Sequence, residues 1–290
     1  MRLARESGSC KFQSHRFLNE RQILTSVIAW LAVDSRQPTG LYFASDSRRS
    51  FPTKEFRDDC TKLYIAEGSE DIFAFSGDVQ FAQQCLTSIC TAIESDQIPA
   101  GLKISPHGRA EWIEKFLCSQ LDTAGSVLQC DTTILYGTRF LWGPQAIFYL
   151  TSYTLPVGSG QILLQEYSTD LQNSAVIELA GSGRPHIRRA VSETSDVAGE
   201  FSRAFFSGFY DSVSSGNDKS SGGAIQLVCL GCKSHARHIG VVLPEGPFYK
   251  GRAYEGSDTK ILWRNTKFER VLADGYLVNG AQRHGWRQRT

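Results

Sequence analysis

Two apolar runs joined by a single turn constrain this chain most. Thr25-Ser-Val-Ile-Ala-Trp-Leu-Ala-Val33 alternates well enough for a strand, and a second run from Leu41 closes on Ala44-Ser45-Asp46-Ser47-Arg48. Between them, Asp34-Ser-Arg-Gln-Pro-Thr-Gly40 carries the Pro and Gly of a turn.

The pattern continues in blocks. Short strands fit residues 62–66 and 71–75, with a hairpin connection between them. Asp78 can cap a helix running to about Glu94, on which Phe81, Leu86, Ile89 and Ile93 recur near helical spacing. A Pro/Gly link leads to a second helix over about 110–121. Strands return at 132–138, 146–151, 161–164 and 175–179. A helix follows Gly183, another spans about 195–213, and strands at 224–230 and 238–243 close the pattern. The remainder from Pro244 reads as less regular and ends in a basic tail, Arg283 to Thr290. Blocks of strands and paired helices predict an α+β fold, two sheets between helix layers, rather than alternating βαβ units. The expected organisation is a propeptide or N-terminal extension over 1–24, one domain over 25–245 and a C-terminal extension over 246–290.

Composition excludes more than it selects. A net charge of +1 gives no reason to expect nucleic acid or an acidic partner. No apolar run approaches the roughly 18–20 residues needed to span a bilayer. The first 24 residues hold Arg2, Arg5, Lys11, Arg16 and Arg21 but no apolar core, so they do not read as a secretory signal. The eight cysteines are scattered, which argues against a disulfide framework and for a reducing, cytoplasmic compartment. Cys229-x-x-Cys232 with His235 and His238 invites a zinc reading, but these histidines stand closer than in the usual zinc-finger loop. A buried thiol beside hairpin histidines is the preferred reading. No cofactor is implied.

Amide hydrolysis by a hydroxyl needs a nucleophile, a base and donors for the developing oxyanion. A threonine at a free chain terminus can use its own α-amine as base, since that amine titrates near ~7.7–8.0. A nearby lysine lowers this value further, and a carboxylate must hold the lysine charged. Thr25, Lys62 and Asp46 supply these roles if the fold brings their strand ends together.

The ordered motifs resemble proteasome β subunits and their relatives among the N-terminal nucleophile (Ntn) hydrolases. Thr25-Ser26-Val27-Ile28-Ala29 is similar to the family's opening, and Ala44-Ser45-Asp46-Ser47-Arg48 to its second strand. Lys62 lies sixteen residues after Asp46, as the family's essential lysine does. Gly77 matches the oxyanion-hole glycine, and Ser182, Asp218 and Ser221 match residues that support the terminal amine. The resemblance implies a four-layer αββα sandwich, the Ntn hydrolase fold. It also implies an autoprocessing threonine protease acting on polypeptide substrates once residues 1–24 are removed. A ring-shaped homo-oligomer, served by an ATP-dependent unfoldase, follows from the same likeness. Leu24 stands where self-processing members usually have Gly. Two alternatives remain open, an unprocessed inactive scaffold subunit and an amidase acting on small amides.

Overall fold

A computed structural model describes residues 25–34, 37–50, 55–124, 128–142 and 145–283. The extension read over 1–24, with Leu24, and the basic tail over 284–290 lie outside the described residues. The chain opens with β1 (Val27–Val33) and β2 (Pro38–Ser45), then the short β3 (Arg49–Ser50) and β4 (Phe56–Arg57). Next come β5 (Leu63–Ile65) and β6 (Asp71–Ser76), followed by α1 (Val79–Glu94), the single turn α2 (Ala100–Lys103) and α3 (Pro106–Ala124). Four strands follow: β7 (Thr132–Trp142), β8 (Gln145–Leu155), β9 (Leu163–Tyr167) and β10 (Ala175–Ala180). After them come α4 (Arg184–Ala198) and α5 (Ser202–Ser214), then β11 (Gln226–Gly231) and β12 (Arg237–Leu243). The last segment adds β13 (Gly246–Tyr249), β14 (Arg252–Ala253), β15 (Trp263–Asn265) and β16 (Arg270–Val271).

Two sheets carry the core. The larger runs β10-β1-β2-β11-β12-β13-β14, with β15 and β16 joined through β12, and the smaller runs β5-β6-β7-β8-β9. Period-two alternation divides β1 between two apolar clusters. Val27, Ala29 and Leu31 face the smaller sheet, where they meet Leu63, Ile72, Leu135 and Phe148. Ile28 and Trp30 face the other way, onto Ile187 and Val191 of α4 and Phe205, Phe206 and Phe209 of α5. On the smaller sheet, Phe73, Phe75 and Tyr136 pack against Leu86 and Ile89 of α1 and Ile113 and Leu117 of α3.

The expected four-layer αββα sandwich is corrected here. Antiparallel sheet dominates, with 35% of the described chain in strands against 27% in helices. The reason is non-local pairing. The segment beyond Pro244, expected to be irregular, extends the larger sheet: β13 pairs antiparallel with β12 and β15 pairs parallel to it. The two helices expected after Gly183 are both present, but the second starts at Ser202 rather than near 195, because Gly199 (φ +81°) ends α4. Asp78 does cap α1, accepting from the Phe81 amide at 3.0 Å. No helix among the described residues is long and apolar enough to cross a membrane.

Candidate active site

The sheet register surrounds the start of β1. Pairing of Val27 with Ser45 brings Ser26 level with Asp46, and pairing of Val27 with Ala180 brings it level with Gly181. Asp46 directly follows β2 of the larger sheet, whereas Lys62 directly precedes β5 of the smaller one. They meet across the gap, Lys62 Nζ to Asp46 Oδ1 at 2.7 Å, with both side chains 0% exposed.

Asp46 is saturated with donors. Its Oδ1 accepts from Lys62 Nζ and from the Ser26 amide (3.0 Å), and its Oδ2 from the amides of Arg48 (3.2 Å) and Gly222 (3.0 Å). Burial pushes the carboxyl above its ordinary value, while Lys62 and the Ser26 and Gly222 amides pull it back. Among the described residues it meets four donors and no acceptor for a carboxyl proton, so this pocket suits the carboxylate. Cys60, two residues before Lys62, is no rival nucleophile. Burial raises its thiol to about 11.

A second chain of contacts reaches the same strand from the other side. Ser182 Oγ and Ser221 Oγ both donate to Asp218 Oδ2, at 3.2 and 2.8 Å. Ser221 Oγ also lies 2.6 Å from Ser26 Oγ. The Ser221 hydroxyl has one hydrogen, already given to Asp218, so Ser26 is the donor in that contact. The Gly181-Ser182-Gly183 turn presses directly on this point. Gly181 sits at φ +92°, and a Cβ there would run into the Thr25 carbonyl oxygen. A Cβ on Gly183 would likewise strike Ser26 Oγ.

Gly77 follows β6 at φ +112°, and two residues before it the Phe75 amide donates to the Lys62 carbonyl at 3.3 Å. Gly77 therefore belongs to the same end of the two sheets as Lys62. Thr25 itself is 1% exposed. Six of the residues named from sequence thus converge on the start of β1, through the Asp46–Lys62 pair or the Ser182–Asp218–Ser221 chain. Gly77 is joined to them through the β5–β6 ladder.

Three contributors were not singled out from sequence. Ser26 ties both networks together. Arg48 forks onto Asp58 (2.8 and 2.9 Å) and donates to the carbonyls of Lys219 (3.0 Å) and Ser221 (3.4 Å), which fixes the loop carrying Asp218. Gln226, 1% exposed, accepts from the Lys62 amide and donates to the carbonyls of Asp46 and Cys60. A glutamine opening an apolar strand was the available signal, since a buried amide must find partners.

The residues of the zinc reading do not assemble. Cys229 is buried in β11, and His235 pairs with Glu70 (Nδ1–Oε1, 3.1 Å). No group of three or more His, Cys, Asp or Glu among the described residues could hold a metal ion.

No protein-family model matches the chain, and no curated protein matches it in sequence. Solved structures do match. Anbu (ancestral beta-subunit) from Yersinia bercovieri is 12% identical with a TM-score of 0.51, over 73% of this chain and 86% of that one. An Anbu (Gly-1) mutant from Hyphomicrobium sp. strain MC1 is 16% identical with a TM-score of 0.48, over 74% and 86%. The family read from the motifs is thereby corrected: these neighbours are Anbu proteins, proteasome-like but distinct from the proteasome β subunits named above. At this identity the likeness establishes a shared fold with the Yersinia protein, and nothing narrower.

Proposed function

We propose that this chain hydrolyses peptide bonds as an N-terminal threonine peptidase, forming an acyl-enzyme on Thr25. The observation that carries the reading is the sharing of Asp46 Oδ1 between Lys62 Nζ and the Ser26 amide. One carboxylate oxygen thereby places a buried cation beside the residue that follows the nucleophile. The Lys62 charge favours the neutral α-amine of a Thr25 terminus, which is the form able to take the Thr25 Oγ proton. Thr25 Oγ attacks the scissile carbonyl, and the Gly77 N–H stabilises the oxyanion. Departure of the amine product leaves an ester on Thr25, which water hydrolyses. Ser182, Asp218 and Ser221 orient the terminus through Ser26.

The α-amine of Thr25 is free only once the peptide bond to Leu24 is cut, so the reading requires that residues 1–24 be removed. Polypeptides enclosed in a ring of copies, fed by an ATP-driven unfoldase, are the substrates this arrangement suits. A peptide epoxyketone tests the proposal, because its double addition needs a hydroxyl and a free α-amine on one residue. The reading expects one equivalent of probe mass on Thr25 and none on a Thr25→Ala variant; labelling elsewhere, or none, contradicts it. Leu24, standing where self-processing members usually have Gly, favours one second reading, an unprocessed scaffold subunit.

A further inference from the structure

Gln226 spends both N–H donors and one Oε1 lone pair on main chain around the ion pair. Its Oε1 accepts from the Lys62 amide at 3.0 Å, and its Nε2 donates to the carbonyls of Asp46 at 3.1 Å and Cys60 at 2.8 Å. One N–H donor and two carbonyl acceptors leave the amide a single orientation. The partners lie on both sides of the inter-sheet gap. Gln226 pairs with Ser45 in the larger sheet, so its side chain reaches from β11 across the end of β2 to the residues entering β5. The side chain is itself held from behind. The turn between β13 and β14 packs Gly251 so closely that a Cβ there would stand 3.0 Å from Gln226 Cγ.

We infer that Gln226 is a positioning residue that fixes the relative placement of Asp46 and Lys62, with the C-terminal segment as its backstop. The ion pair joins two sheets, and a charged contact of 2.7 Å is sensitive to their spacing. Lys62 Nζ hangs on a flexible four-carbon stem, whereas its main chain is clamped by Gln226. Gln226 touches neither Thr25 nor any reacting atom in these contacts, so it acts through Lys62 and Asp46. The inference rests on the threonine peptidase reading for its catalytic consequence, but not for its geometry.

The test compares wild type with Gln226→Met, which keeps length without the amide, and Gln226→Glu, which keeps shape but loses the paired donors. In the full chain, acetylation of Lys62 by acetic anhydride at about pH 9 is read by peptide mass spectrometry against exposed Lys115. The expected result is a rise in relative Lys62 labelling of about tenfold or more in the variants. In matured protein, kcat on a fluorogenic peptide falls by about tenfold or more while KM stays within about threefold. Lys62 labelling and kcat within about twofold of wild type would overturn the inference. Failure of both variants to fold would make Gln226 a general structural residue and overturn it equally. If wild type cleaves no peptide, the peptidase reading falls and Lys62 labelling still decides the role of Gln226.

Discussion

Asp46 Oδ1 accepts from the Lys62 ammonium at 2.7 Å and from the Ser26 amide at 3.0 Å. One atom therefore links the end of β2, the entry to β5 and the first residues of β1. Removing a member of this group leaves an unmatched charge or donor in a pocket closed to water.

Lys62→Met isolates the Asp46 carboxylate with main-chain donors alone. Breaking a buried pair from one side costs about 3–5 kcal/mol, which urea unfolding will read directly. Peptide turnover should fall to less than about a hundredth of wild type, because the α-amine loses the neighbouring positive charge.

Ser221→Ala cuts the chain from Asp218 to Ser26. It leaves Ser26 Oγ without its acceptor and should cost about 1–2 kcal/mol. Ser214→Ala, on the exposed end of α5, is the matched control and should stay within about 0.5 kcal/mol.

Two glycines at similar φ separate backbone conformation from crowding. Gly158 (φ +72°) has open space where a Cβ would go, so Gly158→Ala should cost only about 1–2 kcal/mol. Gly181 (φ +92°) abuts the Thr25 carbonyl. Gly181→Ala should cost at least about 2 kcal/mol more than the Gly158 change and displace the start of β1.

His238 predicts acid sensitivity away from the site. It is buried in β12 with Nδ1 unpartnered among the described residues, and burial, with the Lys250 charge nearby, lowers its value to about 3. The unfolded chain takes up the proton near 6.5, so this contribution to stability is full above that pH and is lost as pH falls toward 3. By about pH 5 the loss should reach roughly 2 kcal/mol. Urea midpoints of wild type and His238→Phe between about pH 8 and about pH 5 check it, the variant showing the flatter profile.

The parts of the fold legible in sequence are those set by local pattern. β1 reads directly from its alternation, and α1 from Asp78 and the stripe of Phe81, Leu86 and Ile89. Asp46 and Lys62 were legible because they stand at strand ends, where register carries them to one point. What was not legible depends on partners distant in the chain. β7 was expected to end at Thr138 but runs on through Arg139, whose guanidinium is buried against Glu70 at 3.1 Å. β13 begins at Gly246 and includes Pro247, a poor strand signal overcome by pairing with β12. The role of Gln226 was not legible, since its partners Cys60 and Lys62 belong to the approach to the other sheet. The amount of sheet, and so the fold class, was misjudged for the same reason.

Intact mass and N-terminal sequencing of the purified protein, beside a Thr25→Ala variant, test the central claim most directly. The account predicts a wild-type chain that begins at Thr25 and a variant that keeps its leader. Full-length chains in both, under conditions where the protein is folded, would contradict it.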